Sequence, residues 1–190
     1  MRELSILLVI LIIFFVYMNF VRKSLHLELV ESKINNKKYY VRRLDDKQEA
    51  ADKMANISIK LNKLIKHIEG EDKEGVKYLC DNFKPEIITE NIPGSVYVAY
   101  SVNKGEELSL CIREKDSEEF IDDNTIIFVA VHELAHIMTD ETGHTPKFWR
   151  NMKYLLEKSN EINIYDIVDY SKNPIVYCGQ NITSTPINLK

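Results

Sequence analysis

Residues 126–149, IIFVAVHELAHIMTDETGHTPKFW, constrain the fold of this chain more than any other stretch. Six apolar residues, Ile126, Ile127, Phe128, Val129, Ala130 and Val131, run without interruption into His132-Glu133-Leu134-Ala135-His136. Read as a helix, such a run is buried on nearly every side. A buried helix does not carry two histidines and a glutamate with nothing to satisfy them. His132 and His136 are i and i+4, so both imidazoles project from one face, one turn apart. That spacing lets two neutral histidines hold one Zn²⁺ at about 2.0–2.1 Å each. Glu133, next to the first histidine, reaches a water on that metal as general base without being a ligand. The bland alternative is a solvent-facing polar stripe at the end of a core helix.

A catalytic zinc site needs a third protein ligand and an open fourth position. His144 is the best placed candidate. Gly143 supplies the φ > 0 that swings the chain back under the helix, and Thr145-Pro146 reads as an N-cap followed by proline at the first helical position. Asp140 is the rival, i+4 from His136 if the helix runs one turn further, and Glu141 is less well placed.

HELAH, a short polar insert, a third histidine and then Phe148-Trp149 resemble the WLM and SprT-like zinc metallopeptidases, which occur among other places in large DNA viruses. The likeness is sharp over residues 128–149 and extends loosely over 50–179. It implies a zincin-type peptidase with His132, His136 and His144 on Zn²⁺ and Glu133 as base. The insert before His144, IMTDETG, is longer than the commonest form of the pattern. The fold class expected is α+β: a small zincin-like domain of helices plus a short antiparallel sheet, behind an N-terminal transmembrane helix. Such proteins are associated with repair of DNA–protein crosslinks. The net charge of −4 gives no reason to expect a surface that tracks phosphates, so the partner expected is a protein or peptide substrate and not a nucleic acid. The competing class is a catalytically silent zinc fold that binds a partner protein as a membrane-tethered scaffold.

Residues 4–21, LSILLVILIIFFVYMNFV, carry no charge. As a helix they would rise about 27 Å, close to the ~30 Å hydrocarbon core. A membrane anchor is therefore expected over residues 1–23, then a polar juxtamembrane linker over 24–38 and the zincin-like domain over 39–190. Arg22, Lys23, Lys33, Lys37, Lys38, Arg42 and Arg43 follow the span, while Arg2 beside Glu3 precedes it. The positive-inside rule then makes this a single-pass protein with its C-terminal domain on the cytosolic or virion-interior side. The cysteines Cys80, Cys111 and Cys178 form an odd, sparse set, expected as buried free thiols in a reducing compartment.

The remaining elements follow from periodicity and turn chemistry. Residues 39–43 form a short strand. Asp45 or Asp46 caps a helix whose apolar face is Ala50, Met54, Ile57, Leu61, Leu64, Ile65 and Ile68, ended by Gly70. His67, near that end, decorates the helix terminus. A short helix spans 73–83, with Val76, Leu79, Cys80 and Phe83 inward. A hairpin spans 96–112 with its turn at Asn103-Lys104-Gly105-Glu106, and one of its edges is expected to border the zinc, its tip near the cleft. Asp122 or Asp123 caps the zinc-motif helix, and a last helix runs over 146–160. The tail wraps the domain. It offers Tyr165, Tyr170 and Tyr177 as packing groups or as stabilisers of an oxyanion.

Overall fold

The computed structural model describes residues 6–188 apart from 13, 15, 16, 18–20, 22–24, 96, 103 and 104. Among these, the main sheet has five strands: β1 (Leu27–Glu31), β2 (Lys38–Arg42), β3 (Ile88–Glu90), β4 (Ala99–Val102) and β5 (Glu107–Leu110), in the order β1-β2-β3-β5-β4. The outer pairs β1–β2 and β4–β5 are antiparallel, whereas β2–β3 and β3–β5 are parallel. The sheet is thus mixed, which corrects the expected antiparallel one. Parallel neighbours need long crossovers, here supplied by two helices between β2 and β3.

The first of these, α1 (Lys47–Ile68), buries every residue of its expected apolar face. Gly70 follows it at φ +85°. Asp46 holds the N-cap position but makes no cap bond; its carboxylate instead accepts two bonds from the Arg113 guanidinium. The second, α2 (Val76–Asn82), buries Val76 and Leu79. Phe83 just beyond is also buried, while Cys80 is only half-buried.

The zinc-motif helix α3 (Asp123–Met138) is the centre of the core, with 12 of its 16 residues buried. The Asp122 side chain caps it by accepting from the Thr125 amide at 2.9 Å. Asp123 in its first turn receives Lys53 and Lys60 from α1 at 2.7 and 2.9 Å. Burial pushes the Asp123 carboxyl up; the bonds from these two lysines outweigh it and hold the group below its usual value. The last helix, α4 (Pro146–Glu161), is capped by Thr145, whose hydroxyl accepts from the Phe148 amide. The tail then forms a hairpin, β6 (Ile175–Tyr177) and β7 (Gln180–Ile182), and a 3-10 turn over Pro186–Asn188 that packs on α4.

Three further expectations are corrected. The stretch 24–38, read as a linker, carries β1, which pairs with β2 from Leu27↔Arg42 to Glu31↔Lys38. Of its five residues only Leu27 is buried, so no alternating burial signals the strand and its pairing with β2 decides it. Cys111 and Cys178 are joined in a disulfide, with Cα atoms 6.2 Å apart across 67 residues of sequence; Cys80 is the cysteine outside it. Only the docking of the tail hairpin beside β5 brings that pair together.

The third correction concerns the membrane. Among the described residues, no helix is long and apolar enough to cross a bilayer. The single-pass assignment therefore falls. Residues 4, 5, 13, 15, 16 and 18–20 of the expected span lie outside the described residues.

Gly75 ties α2 to the end of the zinc-motif helix. It adopts φ +84°, and a Cβ there would be built into the carbonyl oxygen of Met138, the last residue of α3. Both the backbone angle and the contact exclude a side chain. Gly75→Ala is expected to cost more than about 2 kcal/mol, read as a fall in the urea midpoint at unchanged slope. Gly70→Ala, where no atom lies within 4 Å of the added Cβ, carries only the backbone cost and is the matched control.

Candidate metal and catalytic site

Helix α3 delivers His132 and His136 one turn apart, and the turn between α3 and α4 returns His144 to them. Gly143 stands at φ +83° in that turn. The three rings form a nearly equilateral triangle, with centroids 4.9 Å (His132–His136), 4.9 Å (His132–His144) and 5.0 Å (His136–His144) apart. One nitrogen from each lies within 4.8 Å of the others. The Nε2 atoms of His132 and His144 are 3.0 Å apart. Two nitrogens bound to one tetrahedral zinc would be about 3.3 Å apart.

The electrostatics favour the neutral rings that a metal needs. Burial, then the neighbouring His136 and His144, push the His132 pKa down to about 3. Burial, then His144, push His136 down to about 4. Aromatic side chains fix the triangle from below. Phe148 is fully buried, with its ring 4.3 Å from His136 and 4.8 Å from His144. Trp149 lies 5.5 Å from His144, tilted by 32°.

Asp140 does not join the cluster. It is exposed and pairs with Lys147 at 2.7 Å, and Lys147 also holds Glu74. Helix α3 stops at Met138, so the extra turn that would carry Asp140 to the face of His136 does not form. Glu141 is exposed and also outside the cluster. His67 is remote, beside Glu161 at 3.2 Å.

Glu133 is 9 % exposed and accepts a hydrogen bond from the Ser101 backbone N–H of β4. Burial pushes its pKa up to about 7, and the Ser101 amide opposes that rise. Glu133, His132 and His144 line a cavity of about 300 Å³. One side of it is Val98 and Ala99, at the start of the edge strand β4; the other is formed by residues 180–184 of the tail. The expected hairpin thus borders the site through β4. Its tip does not: Gly105 is buried against Asn82 and Phe83 at the end of α2. Lys104 lies outside the described residues.

Of the three tail tyrosines, Tyr177 lines the cavity. Its hydroxyl donates to the Cys111 carbonyl at 2.7 Å, and burial raises its pKa strongly. Tyr165 and Tyr170 pack on Phe128, with Tyr170 edge-on at 4.6 Å.

Two supporting residues are not visible in the motif. Thr139, fully buried at the C-cap of α3, donates to the Ala135 carbonyl at 2.6 Å and accepts from the buried Asn151 amide of α4 at 3.0 Å. This link sets the distance between the helix bearing His136 and the helix that follows His144. A lone Asn among Met152, Leu155 and Leu156 was the available signal, since a buried amide needs a partner.

The chain is similar to known proteins over most of its length. A family profile described as WLM domain matches residues 33–186. An uncharacterized protein, R325, of Acanthamoeba polyphaga mimivirus is 33% identical over 156 residues, covering 79% of each chain. Uncharacterized protein 136R of Invertebrate iridescent virus 6 is 29% identical over 147 residues, covering 72% of this chain and 80% of its own. Among solved structures, that of Wss1 from Saccharomyces cerevisiae superposes with a TM-score of 0.51 at 20% identity, over 64% of this chain and 86% of that one. At that identity the likeness is one of fold.

Thr139→Val keeps the shape of the side chain while removing both of these hydrogen bonds. It leaves the buried Asn151 amide without its partner, and a loss of about 1–3 kcal/mol is expected in chemical denaturation. Thr139→Ser, which retains the hydroxyl, is expected to recover most of that loss.

Proposed function

The chain belongs to the WLM domain family, and from that premise we propose that it is a zinc-dependent metallopeptidase. The observation that carries the reading is the convergence of three imidazoles, two of which line a cavity beside the outer strand of the sheet together with one buried carboxylate. A solvent-facing stripe would have no reason to bury Glu133 or to return His144 through a capped turn.

His132, His136 and His144 would hold the ion, since their nitrogens already converge and the two on α3 are neutral at physiological pH. Zinc, when bound, supplies the Lewis acidity that lowers the pKa of water toward about 7 and polarises a carbonyl. Glu133 takes a proton from the attacking water and returns it to the nitrogen of the leaving amine. A carboxylate held near pH 7 by burial is matched to that double role. The Ser101 N–H keeps the carboxylate aimed into the cavity. Tyr177 shapes the wall, with its hydroxyl engaged by Cys111.

Substrate would enter as an extended strand. β4 is the outer strand of the main sheet, and its first residues line the cavity. Main-chain pairing to such an edge ignores side-chain identity. The substrates this favours are exposed or unfolded protein segments, with weak sequence preference.

Metal analysis and a peptidase assay on a denatured protein test the reading together. Glu133→Gln is expected to retain zinc and to lower kcat about 10²–10⁴-fold. Unchanged cleavage would remove Glu133 from the chemistry. Zinc bound with no cleavage by the unsubstituted chain would return a binding module instead.

The ligand set is tested separately. His144→Ala is expected to weaken zinc by more than the roughly 10–100-fold that loss of an outer hydrogen-bond partner costs. Asp140→Ala is expected to leave the metal content unchanged. The reverse pattern, read by competition with a chelator, would transfer the ligand role to Asp140.

A further inference from the structure

The hairpin β6–β7 stands between two cavities. Along consecutive residues, Tyr177 lines the site cavity, Cys178 and Gly179 line a second cavity of about 400 Å³, and Gln180 lines both. Val98 is the other residue common to the two. The turn of the hairpin is therefore the partition between them, and the Cys111–Cys178 bond pins that turn to the end of β5. We propose that this disulfide is a redox latch: bonded, it holds the hairpin as a wall of the substrate cleft; reduced, it lets that wall go. The proposal rests on the peptidase reading for its consequence but not for its structure.

Apart from the disulfide, the hairpin is anchored mainly through one side chain, Tyr177, which is buried in the core. Its two strands have three residues each and pair only with each other among the described residues. An isolated two-stranded hairpin is marginal in water. Ile175 and Ile182 are only half-buried, and Val176 is 47 % exposed. The hydroxyl of Tyr177 on the Cys111 carbonyl is one further tie, at the same residue that the disulfide grips.

The turn itself works against the sequence. Cys178 and Gly179 take φ +50° and +80°, the pattern of a type I′ turn. Glycine suits that geometry, but a non-glycine residue at φ > 0 costs on the order of 1 kcal/mol. Cysteine at the first turn position is the choice that permits the covalent tie. Elsewhere the domain does not lean on this bond. The strands β3, β4 and β5 are joined by backbone ladders, and α3 by burial on every side.

The chemistry is a thiol–disulfide exchange with a dithiol reductant. Its thiolate attacks the sulfur of Cys178, the more exposed partner, and the Cys111 thiolate leaves. The second thiol of the reductant then resolves the mixed disulfide. Two electrons and two protons pass to the cysteine pair, and the reductant departs as its own disulfide. Access is through the second cavity, which both cysteines line.

The test uses the full chain loaded with zinc, compared before and after reduction by a phosphine, which takes up the oxygen of one water and brings no competing thiol ligand. The Cys111→Ser/Cys178→Ser double variant reports the unlatched state without any reductant. Hydrogen exchange of the amides over residues 175–184 is expected to quicken roughly tenfold on reduction and in the variant, with α3 and α4 unchanged. KM for a denatured protein substrate is expected to rise roughly fivefold to tenfold, the scale of ordering a wall that was pre-ordered, with kcat within about twofold. Reoxidation of the unsubstituted chain restores both. Exchange that does not change, or that quickens throughout the domain, overturns the latch in favour of no role or of a general staple. A responsive hairpin with cleavage indifferent to thiol state also overturns it. A responsive hairpin in a chain that cleaves nothing in either state supports the latch and sinks the peptidase reading.

Discussion

Everything in this domain follows from a helix that is buried and yet carries two imidazoles and a carboxylate. Each of those groups has to be satisfied inside the core, because desolvating it alone would cost more than the domain can spare. The surroundings of α3 meet that demand. His144 comes back through the glycine turn, the Ser101 amide reaches across from β4, and Phe148 packs beneath the rings. At the other end Asp122 caps the helix, and Lys53 and Lys60 neutralise Asp123. The same helix thus sets the position of the sheet edge, of α1 and of α4.

A second constraint is ionic. Arg113 is 2 % exposed and bonds Glu90 of β3 at 2.9 Å, the Asp46 carboxylate at the start of α1 and the Glu118 carbonyl. Its guanidinium also lies 4.2 Å over the Phe120 ring. Burial pushes the Glu90 carboxyl up, against the pull of Arg42 and Arg113. A buried ion pair adds little to stability over an apolar replacement, but removing one partner costs several kcal/mol. What the network fixes is register: it joins β3, the entry to α1 and the loop after β5 at a single point behind the second cavity.

The legible parts of the chain were those decided locally. The apolar face of α1, the Asp122 and Thr145 caps and the turn at Gly143 are signalled within a few residues, and the structure has each of them. The meeting of His132, His136 and His144 was legible for the same reason, since helix geometry and a short return loop bring them together. What was not legible depends on distant partners. β1 buries only Leu27, so its sequence carries no alternating pattern and the strand is decided by its pairing with β2. The parallel pairing of β3 with β2 follows a crossover of two helices and that with β5 a connection through β4, so neither is signalled by turn chemistry. Cys111 and Cys178 looked like unrelated thiols because nothing in their neighbourhoods shows that the tail hairpin docks on β5. The apolar N-terminal stretch met the length rule for a membrane span, yet among the described residues no helix is long and apolar enough to cross a bilayer.

The open edge of β4 has a consequence for what such a peptidase could select. A strand edge accepts any backbone that is extended and unpaired, and a folded protein keeps its backbone paired internally. The quantity being read is then the fraction of time a target segment spends open. A segment that opens at a cost of about 3 kcal/mol presents itself roughly once in 150 encounters, whereas one already frayed presents itself at nearly every encounter. Under the peptidase reading, discrimination of a hundredfold or more between damaged and intact proteins needs no specificity pocket, because it is supplied by the thermodynamics of the target.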